Sequence, residues 1–374
     1  LKLVGGHASF VRLRPAAAAL ALLASLFPMA GPTAAATTLT ISAGAQSPGK
    51  DVQLNVFAPG TTTINVGDTI TWRLDSTEFH TVTFLAGQPE PEFVTPGPDG
   101  AFLNPAAVLP AGGNTYDGSA YTNSGLMMLG GPGSEPPTYS LTFTKPGTYD
   151  YVCIVHPGMQ GKVVVNPEGQ SAGAPQAGSP QAGAPQVGSP QAGAPQAGTP
   201  QAGTPQADTQ STVDARSRDE VNALLAGDGI STIMSNAGEL PADGATAGLA
   251  MGAGTAQVDV QRFFPPRVTI HAGDSLTWIN KSEAPHTVTF LAGQPQPDVV
   301  NVMPQPDGPP RFQLNPTMFN PAGDPSAYDG SSYLNSGFTE PGPNGTYTVT
   351  FTQPGSYDYV CLLHPGMTGT VVVQ

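Results

Sequence analysis

Two short stretches constrain this chain more than anything else in it: Cys153-Ile154-Val155-His156-Pro157-Gly158-Met159 and Cys361-Leu362-Leu363-His364-Pro365-Gly366-Met367. They contain both cysteines of the 374-residue sequence. Each sets a thiol, an imidazole and a thioether at the spacing Cys-x2-His-x2-Met. Thiolate and thioether are soft donors and imidazole is borderline, so the set favours copper over zinc, calcium or magnesium. The repeat supplies a second imidazole, because His80 and His286 each open the phrase His-Thr-Val-Thr-Phe-Leu-Ala-Gly-Gln-Pro. The copies are offset by 206 residues at these histidines and by 208 at the cysteines. A lone buried cysteine is ordinarily a small core hydrophobe and a lone methionine a gap-filler. Four donors at matched positions, twice, in a chain with six histidines, point instead to two metal sites. The candidate ligands are His80, Cys153, His156 and Met159, and His286, Cys361, His364 and Met367.

The surrounding sequence reads as all-β. Val52 to Phe57, Thr61 to Asn65, Thr69 to Leu74, Phe79 to Leu85, Tyr139 to Thr144, Gly147 to Cys153 and Lys162 to Val165 are rich in Thr, Val and Ile with period-two character. Turn signals such as Val66-Gly67-Asp68 and Lys145-Pro146-Gly147 separate them. About seven short strands per copy predict a β-sandwich. Alternation puts Tyr149, Tyr151 and Cys153 on one face, so the cysteine ends a strand and its loop carries His156 and Met159. Pro157 fixes the backbone after the histidine and Gly158 permits a sharp turn towards the methionine. Residues 251–374 repeat residues 37–167: Ile270-His271-Ala272-Gly273-Asp274-Ser275-Leu276-Thr277-Trp278 matches Ile64-Asn65-Val66-Gly67-Asp68-Thr69-Ile70-Thr71-Trp72. His271 therefore aligns with Asn65, outside the shared donor set, and reads as a solvated strand-end residue. Trp72 and Trp278 read as core.

Residues 1–36 read as an export signal: Lys2, Arg12 and Arg14 precede an Ala/Leu-rich run to Phe27, and Ala34-Ala35-Ala36 offers a cleavage site. An uncleaved N-terminal anchor is the alternative. The apolar run is short of the roughly 20 residues a membrane span needs, and no other segment qualifies, so no integral membrane segment is expected after cleavage. The mature protein is expected to be periplasmic, cell-surface or extracellular. Taking those three cations from 13 basic residues leaves ten against 27 acidic ones, a balance of −17. So acidic a surface repels phosphate backbones and argues against nucleic acid as a partner. A disulfide between Cys153 and Cys361 would consume both thiolates at equivalent places in two repeats, and is not expected.

Between the repeats, residues 168–210 are a low-complexity linker with proline every fifth residue from Pro175 to Pro205. The composition reads as an extended, partly flexible tether, which by itself fixes no geometry between the halves and leaves two parallel sites as the expectation. Within 211–250, Ser217-Arg218-Asp219-Glu220 resembles a capping box ahead of the apolar stripe Val221, Leu224 and Leu225, predicting a short helix. Long insertions, about 86–137 and 292–345, separate the first histidine from the cysteine strand. They share Leu-Asn-Pro and a Tyr-Asp-Gly-Ser-x-Tyr-x-Asn-Ser-Gly phrase. Loops this long are often functional, and their exit and return points place them to cover the metal end. Met127, Met128, Met303 and Met318 lie in them at unmatched positions and read as packing.

The phrases Val66-Gly67-Asp68-Thr69-Ile70-Thr71-Trp72 and Tyr149 to Val163, with their counterparts in the second copy, resemble the cupredoxins, the small blue-copper proteins that include plastocyanin, pseudoazurin and amicyanin. The short ligand loop with proline directly after the histidine is most similar to amicyanin. The resemblance implies two Greek-key β-sandwich domains, each holding one type 1 copper (Cu+/Cu2+) through the ligands named above. It implies an electron carrier rather than an enzyme, with redox protein partners such as a c-type cytochrome or a membrane oxidoreductase. His156 and His364 would then be the exposed edges for electron passage, with Pro157 and Pro365 in an apolar docking patch. A copper oxidase or reductase on this fold would need extra histidines, and outside the signal only His271 is spare. Copper binding and delivery is the other alternative, and would favour exposed Met- or His-rich clusters, which the sequence lacks.

Overall fold

The computed structural model describes residues 35–97, 100–130, 133–167, 206–227, 246–341 and 345–374, with positions 230, 231, 233, 235, 242 and 243. The export-signal reading up to residue 34 and the proline repeat from 168 to 205 lie outside the described residues. Among the described residues no helix is long and apolar enough to cross a membrane.

In the first repeat the strands are β1 (Thr38–Gln46), β2 (Val52–Ala58), β3 (Thr61–Asn65), β4 (Thr69–Leu74), β5 (Thr83–Phe84), β6 (Val94–Gly97), β7 (Gly100–Leu103), β8 (Thr115–Tyr116), β9 (Thr122–Asn123), β10 (Thr138–Phe143), β11 (Gly147–Val152) and β12 (Gln160–Asn166), with a one-turn helix α1 (Pro105–Val108). Helix α2 (Gln210–Ala226) follows. The second repeat runs through β13 (Ala242–Asp243), β14 (Thr246–Gly254), β15 (Val258–Phe264), β16 (Arg267–Ile270), β17 (Ser275–Asn280), β18 (Thr289–Phe290), β19 (Val300–Met303), β20 (Arg311–Leu314), α3 (Pro316–Phe319), a 3-10 turn at Pro325–Ala327, β21 (Leu334–Asn335), β22 (Thr346–Thr350), β23 (Gly355–Val360) and β24 (Thr368–Val373).

Each repeat is a two-sheet sandwich. In the first, β2-β1-β4-β10-β8 packs against β3-β12-β11-β5-β9; in the second, β15-β14-β17-β22 packs against β16-β24-β23-β18-β21. The alternation explains the layers: Leu39, Ile41 and Ala43 of β1 point inward with Ile70 and Trp72 of β4, Leu141 of β10 and Tyr151 of β11. Trp72 and Trp278 are wholly buried, each edge-on to a buried tyrosine, Tyr151 or Tyr359. β1 adds to the seven strands expected in the first repeat, and β14, its counterpart, begins inside the stretch read as linker. The stretch Phe79 to Leu85 is not one continuous strand. His80 makes only an isolated bridge to Met127, and regular pairing is confined to Thr83–Phe84.

The two sandwiches are not merely tethered. β2 pairs antiparallel with β15, placing Val52 opposite Val260, Gln53 opposite Asp259 and Leu54 opposite Val258, so one ten-stranded sheet runs through both repeats. Val52, Gln53 and Leu54 are the repeat equivalents of Val258, Asp259 and Val260. The seam is therefore self-complementary, as across a twofold axis. The insertions obey the same relation. Hairpins β6–β7 and β19–β20 join where Phe102 meets Gln313, another equivalent pair, and form a four-stranded sheet from both halves. These segments are thus structured, not bare loops.

Helix α2 begins earlier than Ser217. Thr209 is the N-cap, and Thr209 and Thr212 cap one another reciprocally, which satisfies the free amides of the first turn. Val213 enters the first core, while Val221, Leu224 and Leu225 pack on an apolar cluster built from both sides of the seam. Glu220 accepts a hydrogen bond from the Gly60 amide and Arg216 donates to the Thr61 carbonyl, fastening the helix to the first sandwich.

Candidate metal centres

In each sandwich the strands deliver the donors to one end. Cys153 follows β11 directly, and its amide donates to the Met159 carbonyl while the Met159 amide donates to the His156 carbonyl. The same pair of bonds closes the loop from Cys361 to Met367. Gly158 and Gly366 take φ of 86° and 91°, the left-handed backbone expected at these turns. His80 and His286 stand just ahead of β5 and β18, the strands paired with β11 and β23, held by paired backbone bonds to Met127 and by a bond from the Thr339 amide respectively.

The structure brings the predicted donors together. Cys153 Sγ lies 3.8 Å from His80 Nδ1 and 3.6 Å from His156 Nδ1, and the two Nδ1 atoms are 3.1 Å apart. In the second sandwich the corresponding distances are 3.8, 3.5 and 2.9 Å. Met159 and Met367 are buried in the same clusters as the two cysteines. These are the two groupings of metal-binding side chains found among the described residues. An ion bound at about 2.0–2.3 Å from three donors gives triangle edges of roughly 3.5–3.8 Å, which the four sulfur–nitrogen distances match, while the Nδ1–Nδ1 edges of 3.1 and 2.9 Å are shorter and would open on binding. The ring orientations agree. Ser76 Oγ donates to the Glu78 carbonyl, so His80 Nε2 must donate to Ser76 Oγ (3.0 Å), which leaves the Nδ1 lone pair facing inward. Ser282, His286 and Ala284 repeat the arrangement. Inward lone pairs this close call for a cation or proton between them, and sulfur with two imidazoles suits copper.

Several supporting residues carry no signal in the ligand motif. The Thr81 amide donates to Cys153 Sγ (3.3 Å), and Thr81 Oγ1 accepts from the Ile154 amide (2.8 Å), so one threonine holds both the sulfur and its loop. Thr287 does the same for Cys361 and Leu362. Both threonines stand next to the repeated histidine, and their recurrence was visible in the sequence. Gly44 and Gly252 sit in β-bulges of β1 and β14, at φ of 72° and 60°. A Cβ on either would lie 2.3 or 2.2 Å from Nε2 of His80 or His286. These glycines let the backbone press against the ligand rings.

The environment corrects one expectation in part. His364 is only 5% exposed, so its ring is not an open edge, whereas His156 keeps partial exposure; Pro157 and Pro365 are exposed. His271, by contrast, is on the surface beside Asp274, as its alignment with Asn65 implied.

The two centres share geometry but not electrostatics. Burial holds His80 well below the usual histidine range, with the charge of His156 adding to the effect. Burial also pulls His156 down to about 4, partly opposed by Asp259, and pushes the Cys153 thiol up. At the second centre burial again opposes charge but is outweighed. His364 and His286 hold the Cys361 thiol well below its usual range, and Cys361, Glu78 and Asp259 lift His364 to about 10. Glu78 belongs to the first repeat and faces the second centre; its repeat equivalent is Ala284, which offers the first centre no such charge.

The profile described as "Copper binding proteins, plastocyanin/azurin family" matches residues 46–166 and 250–374. Amicyanin-alpha of Methylorubrum extorquens is 34% identical over 149 residues, covering 37% of this chain and 95% of that protein. Amicyanin of Paracoccus denitrificans is 26% identical, covering 40% of this chain and 89% of its own length. Chloroplastic plastocyanin of Tetradesmus obliquus is 34% identical over 115 residues, covering 30% of this chain and 58% of its own length. A solved mutant of amicyanin in the Cu(I) form aligns at 27% identity over 36% of this chain and 86% of its own, with a TM-score of 0.22. With the profile matched in both repeats, the chain belongs to the plastocyanin/azurin family of copper binding proteins.

Proposed function

We propose that this protein is an exported one-electron carrier that holds one type 1 copper in each sandwich. His80, Cys153, His156 and Met159 would hold the first, and His286, Cys361, His364 and Met367 the second. The observation that carries this reading is the pair of buried Nδ1–Nδ1–Sγ triangles, repeated at matched positions with a buried methionine beside each. Bound copper supplies a site that gains or loses one electron between Cu(I) and Cu(II).

The protein's part is to fix the donors so that neither oxidation state requires them to move. Ser76 and Ser282 lock the histidine tautomers with Nδ1 inward. The amides of Thr81 and Thr287 donate to the cysteine sulfurs and favour the thiolate, which tunes electron affinity. Burial of both cysteines and of the two sandwich histidines keeps water from the donor set. Redox proteins are the partners this chemistry requires, and the acidic balance favours a cationic partner such as a c-type cytochrome.

Copper stoichiometry and visible spectra of wild type, Cys153→Ser and Cys361→Ser test the reading. Two coppers and intense thiolate-to-copper absorption are expected in the wild type, with one coloured site and about half the colour in each variant. Protein that takes up no copper, or stays colourless when oxidised, overturns it. Copper lost to an acceptor on each redox cycle would identify a delivery protein instead.

A further inference from the structure

The register of the β2–β15 seam relates the two repeats as across a twofold axis. Asp259 stands at that axis, directly opposite Gln53 in the β2–β15 register, and is 4% exposed. One of its carboxylate oxygens has no hydrogen-bond partner, and the other accepts from Gln261 (3.2 Å). Gln261 also donates to Glu78 of the first repeat at 2.6 Å, so a buried chain Glu78–Gln261–Asp259 crosses the seam. Both ligand loops reach this boundary. A Cβ on Gly158 would meet the Ala256 side chain at 3.8 Å. Pro365 and Gly366 line a cleft with Lys50 and Asp51. Ile154, next to Cys153, packs in one cluster with Leu314 of the other repeat.

We propose that the two centres form one coupled unit, in which an electron passes between them across the seam and Asp259 sets the electron affinity of both. The inference rests on the carrier reading above. In the exchange one centre is oxidised by one electron as the other is reduced by one, and no proton or group is transferred. Each ligand loop meets the opposite repeat, Gly158 beside Ala256 and Pro365 and Gly366 beside Lys50 and Asp51, so the seam offers each site a path through protein to the other. Asp259 acts as a positioning residue: it touches neither reacting atom but contributes a negative charge shared by both.

The test uses the full copper-loaded chain. Asp259→Asn is introduced into Cys361→Ser, which keeps only the first coloured site, and into Cys153→Ser, which keeps only the second. Removing the shared carboxylate favours the reduced state at both. A unit charge about 10 Å away at an effective dielectric of about 20 moves such an equilibrium on the order of tenfold. The decisive readout is the first site, which shifts although Asp259 belongs to the second repeat. In the unmodified chain, a pulse of reductant followed at wavelengths where the single-site variants differ should show re-equilibration at a rate unchanged by tenfold dilution. Loss of copper binding or of colour removes the carrier reading and this inference with it. Two blue sites, a first site indifferent to Asp259→Asn and equilibration that slows in proportion to dilution leave the carrier reading standing and overturn the coupling alone.

Discussion

Gly44→Ala tests whether the backbone bulge of β1 fixes the ligand ring. The substitution meets two obstacles at one position. The backbone φ of 72° is costly for any residue with a Cβ, by about 1–2 kcal/mol. The new methyl carbon would also stand 2.3 Å from His80 Nε2 and 2.6 Å from Ser76 Oγ. Both neighbours are buried, so the ring must turn or withdraw, which breaks the 3.0 Å bond from Nε2 to Ser76. Leaving those buried polar atoms unpaired costs a further 1–3 kcal/mol, roughly. A total of about 2–5 kcal/mol is expected in the copper-free protein, a fall in midpoint on the order of 5–15 °C. The local effect is sharper than the global one, because the ring that moves is a donor. In copper-loaded Gly44→Ala the first site should lose or shift its colour while the second, 208 residues away in sequence, keeps its spectrum. Gly252→Ala should give the mirror result through His286. Thermal denaturation of the metal-free variants and visible spectra of the loaded ones are the assays. A Gly44→Ala protein with wild-type stability and two unaltered sites would refute the argument that the bulge pins the ring.

Ser76→Ala should leave His80 Nε2 without a buried acceptor and free the ring to change tautomer; chelator competition should show copper affinity at the first site weakened by about 10–100-fold, with the second site unaffected. Leu54→Ala, at a fully buried seam position, should destabilise the chain by roughly 2–4 kcal/mol and separate the unfolding of the two sandwiches in calorimetry. His156, neutral in the fold with a folded value of about 4 against an ordinary 6.5, stabilises the copper-free protein above pH 6.5. Below that the unfolded chain binds the proton first, so about 3 kcal/mol is lost as pH falls from 6.5 to 4, a slope that urea denaturation should find reduced in His156→Gln.

The donor sets were legible because the chain prints them twice. Chemistry at a matched spacing, recurring in two copies, outweighs the ordinary reading of a buried Cys or Met, and the family profile agrees with what those phrases suggested. Strands β3 and β4 were legible to the residue, since turn signals bound both, Thr69–Leu74 alternates cleanly and Thr61–Asn65 is a β-branched run. β1 was missed although Thr38-Leu39-Thr40-Ile41 also alternates, because Gly44 and small alanines dilute the pattern where the strand bulges. The start of α2 was missed for a different reason: Ser217 heads a better-looking motif than Thr209, but capping is decided by which hydroxyl meets free amides. The seam could not have been read at all. Val52-Gln53-Leu54 looks like any strand with Val52 and Leu54 on one face and Gln53 on the other, and only the register reveals that its edge is covered by its own repeat.

That seam also explains where the repeats diverge. The donor residues and the serine, threonine and glycine that support them are the same in both halves. Three differences lie at or beside the seam: Gln53 against Asp259, Asn55 against Gln261 and Glu78 against Ala284. A strictly symmetric pair would give two sites of equal electron affinity and no direction to an exchange. Replacing glutamine by aspartate on one side, and alanine by glutamate on the other, puts both buried acids near His364 while only Asp259 is felt at His156. Burial raises the Glu78 carboxyl above the usual range, and the charge of His364 with the bond from Gln261 pulls it back; to the extent that it ionises, its negative charge favours the oxidised state, so the second site should hold its electron less firmly than the first. Electrons should therefore settle on the first site. Single-site titrations that rank the two potentials in the opposite order would contradict this.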